Sequence, residues 1–153
     1  LQAGDATMII KYVTKMTAHV HGQTATFMPK PFANLTGNGC HAHVSIWDRS
    51  GTKNLFMHKT DEMGLSKLAY QFLGGIMHSA DEFAALYVPT VNSYKRIDAP
   101  VTTSGATWSP NAITYSGNNR THMVRVPPSP GVPILAYSSG PMARMCFTPG
   151  ILF

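Results

Sequence analysis

Three side chains with the chemistry of a ligand site stand at alternate positions: His41, His43 and Ser45. In extended backbone such positions share one face, so the two imidazoles and the hydroxyl project together while Ala42, Val44 and Ile46 point the other way. Just before them runs Gly37-Asn38-Gly39, a loop whose backbone N–H groups are open to a ligand. Together these groups can hold a divalent metal, a phosphate or a ribose. They serve equally as hydrogen-bonded histidines beside a tight turn. A second set is cationic: Lys95-Arg96, Arg120 and Arg125. Planar guanidinium forks match carboxylates and phosphates, although each arginine alone also suits a solvated surface. Arg120 and Arg125 are five apart, and a regular strand would send them to opposite faces. Both can serve one site if Arg120 lies on the loop before the strand or if a bulge intervenes. Cys40 has no obvious activating neighbour and reads as an inert filler.

The elements that must position these groups follow from periodicity. Asp5 stands as an N-cap before Met8, Ile9, Tyr12, Val13, Met16 and Val20 at helical spacing, so a helix is predicted to about His21, closed by Gly22. Thr24 to Met28 reads as a strand, Ala33 to Cys40 as a glycine-bearing loop, and His41 to Trp47 as a second strand before the turn Asp48-Arg49-Ser50-Gly51. Leu65, Leu68, Ala69, Phe72, Ile76, Phe83 and Tyr87 form a helical stripe, with Ser79-x-x-Glu82 as a capping box that restarts the helix before Pro89. Residues 92–107 are irregular in pattern. Arg120 to Val126 alternates as a strand stopped by Pro127-Pro128.

Composition bounds the function classes. The 153 residues suit one core, and no apolar run approaches the ~20 residues of a membrane span. Charged residues are 12%, about half of the ~25% usual for a soluble domain. The net charge of +5 is scattered, without the basic stripe that nucleic acid calls for. Neither nucleic acid nor a membrane is an expected partner. Two cysteines make no disulfide framework, and with no leader pattern a cytoplasmic location is expected.

Lys30-Pro31-Phe32 followed by Thr36-Gly37-Asn38-Gly39-Cys40-His41-Ala42-His43-Val44-Ser45 resembles the ATP-region signature of the glutamine synthetase family. The likeness continues through Ala25-Thr26-Phe27-Met28-Pro29, Asn92-Ser93-Tyr94-Lys95-Arg96, Asn119-Arg120 and Arg125-Val126-Pro127, in family order. It implies an α+β fold: part of a catalytic domain with an antiparallel-rich sheet and flanking helices, incomplete at both ends. It also implies a ring-shaped homo-oligomer, with ATP and Mg²⁺ or Mn²⁺ as cofactors. The implied reaction joins ammonia or a small amine to the γ-carboxyl of L-glutamate through γ-glutamyl phosphate. By family position His41 is a metal ligand, and His43 and Ser45 contact ATP. Gly37 and Arg96 bind glutamate, and Arg120 and Arg125 neutralise the transferring phosphates.

Two departures qualify the resemblance. Family members carry a glutamate followed by Ala-Pro on a flap between the Asn-Ser-Tyr-Lys-Arg and Asn-Arg motifs. Here one alignment places Trp108-Ser109-Pro110 there and another places Asp98-Ala99-Pro100. The first, slightly favoured, puts Trp108 in the amine site and suits a methylated or larger amine, as in the γ-glutamylmethylamide synthetase branch. The second departure begins at residue 128: from 127 to 153 there are six prolines and one charged residue, Arg144. Residues 1–127 are thus expected to be a partial catalytic domain, and 128–153 a poorly ordered tail of the kind a frame change or truncation produces. Glu62 and Glu82 are the only glutamates, both away from the motifs. The chain alone is therefore expected to lack turnover; the alternative is a non-catalytic remnant that binds nucleotide weakly.

Overall fold

The structure, a computed structural model, describes residues 2–97, 99, 102, 109–110, 112–127 and 145–147. The first helix, α1, spans Gln2–Val20, so Asp5 lies in its first turn rather than at the cap. There its carboxylate faces the positive end of the helix dipole. The other end closes as predicted at Gly22, whose φ of +65° lets its N–H reach His19 O at 3.0 Å and brings Gln23 N–H to Ala18 O at 2.8 Å. These are the two bonds of a Schellman cap. The apolar stripe of α1 is open: Met8, Ile9, Tyr12, Val13, Met16 and Val20 are between 45% and 78% exposed.

Residues 23–28 form no strand. A strand needs a neighbour, and here the Thr26 hydroxyl accepts from Met28 N–H instead. Strand β1 is Ala42–Val44, within the stretch expected from alternation. Beyond it Trp47 bridges Asn54 across a turn in which the Asp48 carboxylate accepts from the N–H groups of Thr52 and Lys53.

Helix α2, Lys67–Ser79, is capped by Ser66, whose hydroxyl accepts from Ala69 N–H and donates to Leu55 O at 2.6 Å. The expected capping box does not form, because Ser79 donates back to Gly75 O. A short α3, Ala84–Tyr87, follows after a turn. Helix α4, Val91–Ile97, occupies a stretch that periodicity left irregular. Its start is set by Thr90, whose hydroxyl accepts from Ser93 N–H at 3.2 Å.

Three more strands complete a four-stranded sheet of order β1-β4-β3-β2: β2 is Tyr115–Ser116, β3 Val124–Arg125 and β4 Met145–Phe147. β4 runs antiparallel to both neighbours, whereas β2 and β3 are parallel. Strands only two residues long can pair this way without the usual crossover helix, since the loop between them needs only to double back. β4 lies within residues 128–153, the stretch that the sequence sets apart as a tail. An apolar Met-Cys pair fills the slot between β1 and β3, pairs its backbone on both edges, and is fully buried. The rest of that segment lies outside the described residues.

The core forms where α2 meets the sheet. Phe56, Leu65, Ala69, Leu73, Val124, Val126 and Met145 are buried together, with Val44 and Ile46 packed against them and Phe56 tilted on Phe72 at 5.3 Å. Each fully buried aliphatic or aromatic side chain contributes about 1.5–3 kcal/mol. The helical stripe is thus partly displaced: Leu73 takes a buried place, while Leu68 and Phe83 stay exposed. The core anchors β1 by its inner face and leaves the outer face for the histidines.

Candidate active site

Along β1 and its flanks burial alternates residue by residue: His41, His43 and Ser45 are exposed, Ala42, Val44 and Ile46 half-buried. The shared polar face expected from spacing is therefore present. Ser45 is held by its neighbour, its hydroxyl accepting from Trp47 Nε1 at 2.9 Å. His41 Nδ1 lies 3.8 Å from Cys146 Sγ on β4, a residue with no part in the site as read from sequence.

Arg96 comes to the same place from α4. It is 6% exposed, and its guanidinium lies along the glycine loop. A β-carbon on Gly37 would fall 3.2 Å from Arg96 Cδ and Nε and would overlap the Pro29 carbonyl oxygen. One on Gly39 would fall 3.0 Å from Arg96 Nη2 and 3.5 Å from His41 Nε2. The loop is glycine at these positions because arginine and backbone occupy the space a side chain would need. Among the described residues, Arg96 Nε and Nη1 are buried with no hydrogen-bond partner. Burial pushes the Arg96 pKa down, but guanidinium stays charged at any physiological pH. A buried cation with two unused donors is costly unless an anion meets it. A carboxylate has the charge and the shape for that fork.

The other two arginines arrive from the β2–β3 loop and β3. Arg120 lies in a turn before β3, exposed, with Asn119 Oδ1 accepting from both Thr121 N–H and Thr121 Oγ1 to shape that turn. This is the loop placement that lets Arg120 and Arg125 serve one site. Arg125, half-buried on β3, donates through Nη1 to Asn118 Oδ1 at 3.2 Å, and its Nε is buried without a partner among the described residues. Gathering these groups has an electrostatic signature on His41. Although the residue as a whole is exposed, partial desolvation of its ring first, and then the charges of Arg125, Arg96, His43 and Arg120, hold its imidazole below the ordinary 6.5. At neutral pH His41 is thus an uncharged base with a free electron pair, the form a metal takes.

The described residues do not complete a metal site: they hold no group of three His, Cys, Asp or Glu that could bind one ion. Trp108, Asp98 and Pro100, the residues that distinguish the two flap alignments, lie outside the described residues; Ser109 and Pro110 are buried. Sequence reading did not single out Lys30 and Asn92, which hold the glycine loop and α4 together. The Lys-Pro and Asn-Ser-Tyr-Lys-Arg motifs contain them, but nothing local shows that they meet.

A glycine loop, a buried arginine fork, two further arginines and a histidine held below its ordinary pKa make a surface whose charge and donors suit anionic groups. The family model of the glutamine synthetase catalytic domain matches residues 1–133, and the chain belongs to that family. The match runs past the boundary at 127 read from the motifs. Glutamine synthetase from Rhizobium leguminosarum bv. phaseoli is 60% identical over 127 residues, covering 83% of this chain and 29% of that protein. Glutamate–methylamine ligase from Methyloversatilis universalis is 52% identical over 108 residues, covering 69% of this chain and 24% of that protein. A solved structure of GmaS without ligand superposes with a TM-score of 0.69 at 46% identity, covering 95% of this chain and 29% of that one. The chain thus spans less than a third of the length of the curated relatives it matches. With helices and a mixed sheet, it is α+β and a partial catalytic domain.

Proposed function

We propose that the chain supplies the histidine, glycine and arginine side of a ligase site that joins ammonia or a small amine to the γ-carboxyl of L-glutamate, with ATP forming γ-glutamyl phosphate. The observation that carries this reading is the Arg96 guanidinium, buried against Gly37 and Gly39, with Nε and Nη1 lacking a partner among the described residues. Arg96 receives the carboxylate of glutamate while the Gly37 backbone lines the same space. Phosphoryl transfer is mostly positioning and charge neutralisation, which is the work Arg120 and Arg125 do here on the phosphate oxygens. His43 on the exposed face of β1, and Ser45 just beyond its end, contact the nucleotide.

A divalent Mg²⁺ or Mn²⁺ in such a site would neutralise phosphate oxygens, and His41 is the residue that would hold it. Because those residues form no ion-binding group, no step is assigned through the metal, and the chain by itself is expected to bind substrates without turning them over. In the assembled enzyme the site belongs to a ring-shaped homo-oligomer in the cytoplasm. No helix among the described residues is long and apolar enough to cross a membrane.

The similarity to glutamate–methylamine ligase favours a second reading, in which the amine is methylamine and Trp108 lines its pocket. Calorimetric titration of the chain with L-glutamate and with ATP tests the site, and γ-glutamyl transfer with ammonia or methylamine tests the chemistry. Binding of both ligands without turnover is expected. Absence of glutamate binding removes the ligase-site reading, and turnover by the chain removes the claim of incompleteness. The same transfer assay on the full-length enzyme decides the amine, equal or faster reaction with ammonia excluding the methylamine reading.

A further inference from the structure

Lys30 and Asn92 stand 62 residues apart and are joined by two hydrogen bonds. Asn92 Oδ1 accepts from Lys30 N–H at 2.6 Å, and Asn92 Nδ2 donates to Lys30 O at 3.0 Å. One carboxamide thus holds both backbone groups of one residue, as a neighbouring strand would. Lys30 is buried, and its Nζ donates to Leu35 O inside the glycine-bearing loop. At the far end of that loop Asn38 returns its N–H to Pro29 O and its Nδ2 to Met28 O, both at 2.9 Å. The loop is closed at its base by Lys30 and Asn38, and it hangs on α4 through Asn92.

Asn92 and Arg96 are four apart on α4 and therefore share a face. One edge of the helix grips the base of the loop and also carries the guanidinium that lies on Gly37 and Gly39. A seven-residue helix has too little internal hydrogen bonding to hold an orientation by itself. We infer that Asn92 is a positioning residue for Arg96: its clamp on Lys30 sets the rotation and height of α4 against the glycine loop, and so places the fork that takes the substrate carboxylate. The inference rests on reading Arg96 as the L-glutamate site. Asparagine suits the role because it offers a donor and an acceptor on one planar group, where aspartate offers only acceptors.

The test titrates the chain, Asn92→Ala and Asn92→Asp with L-glutamate and with ATP by NMR, and follows amide exchange. Asn92→Ala is expected to weaken L-glutamate binding about tenfold, the loss of roughly one charge-assisted hydrogen bond, and to leave ATP affinity within about twofold. It should shift the Gly37, Gly39 and Arg96 Nε–H resonances and speed exchange at the Lys30 and Asn38 amides, with the Tyr70 amide of α2 unchanged. Asn92→Asp keeps an acceptor and should fall between. Unchanged glutamate affinity with unmoved glycine resonances overturns the inference. So does parallel loss of both affinities with loss of α2 protection in both variants, which marks a merely structural residue. If the unsubstituted chain binds no glutamate, the ligand reading fails separately, and the resonance and exchange changes still decide whether Asn92 places Arg96.

Discussion

Arg96 Nη2 and His41 Nε2 flank one small space, lying 3.0 and 3.5 Å from the point where a β-carbon of residue 39 would sit. A helix and a strand that are far apart in sequence thus present a cation and a neutral base to the same volume, and glycine keeps that volume open. The consequences are measurable.

The two loop glycines should differ in what they tolerate. Gly37→Ala drives a methyl onto the Pro29 carbonyl, so backbone must move, with an expected cost of about 1–3 kcal/mol and loss of L-glutamate binding. Gly39→Ala meets the ends of the Arg96 and His41 side chains, and no backbone atom, so it should cost less stability while still displacing the fork. Gly74→Ala, in α2 with nothing within 4 Å, should stabilise by about 0.5–1 kcal/mol. Thermal unfolding and glutamate calorimetry of the three variants check this order; a Gly37→Ala chain as stable and as tight-binding as the original contradicts it.

Arg96 should separate stability from binding. Its Nε and Nη1 are buried without a partner among the described residues, a cost to the unliganded fold, so Arg96→Met is expected to raise stability by about 1–3 kcal/mol while removing glutamate affinity. Denaturant unfolding of both forms measures the gain. A destabilised Arg96→Met chain would mean that the guanidinium has a partner in the free protein.

His41 should titrate below 6.5 in the folded chain, held there by burial and by Arg125, Arg96, His43 and Arg120 in that order. As pH falls through 6.5 the unfolded chain takes up a proton that folded His41 resists, so this residue costs the fold nothing above 6.5 and destabilises it increasingly on acidification. Arg125→Gln should move the midpoint back toward 6.5. Titration of the His41 ring resonance by NMR decides; an unshifted midpoint in the variant removes Arg125 as a cause.

A second titrating pair braces the approach to α2. Asp61 Oδ2 accepts from Met63 N–H, Leu65 N–H and Tyr70 Oη at 2.9–3.0 Å. Burial would raise the Asp61 pKa, but the bonds from Leu65, Tyr70 and Met63 outweigh it and hold the carboxyl below its usual 3.8. Burial, and then the bond to Asp61, pushes Tyr70 up to about 12. Asp61 therefore supports folding above pH 3.8 and loses that support on acidification. Tyr70 loses its support as pH rises from 10 toward 12. Tyr70→Phe should cost about 1–2 kcal/mol at pH 7 and abolish the alkaline loss, as unfolding at pH 7 and pH 11 would show.

The sequence by itself determined what depends on two to five neighbouring residues. Alternation placed His41, His43 and Ser45 on one exposed face, and Gly22 closed α1 because a left-handed residue was required where the helix stops. Backbone geometry repeats over that span, so spacing alone reveals it. The motifs around the glycine loop and the arginines also carried the family. What tertiary structure decided are the meetings across long distances: the 62-residue link from Asn92 to Lys30, and the 105-residue approach of Cys146 to His41 through β4. Strand β4, α4 and the turn that presents Arg120 belong to this second group. Such meetings use backbone groups that every residue owns and a vacancy that only the folded sheet creates. No local pattern encodes them, and the polar face of β1 becomes a candidate site only when those distant elements deliver the arginines to it.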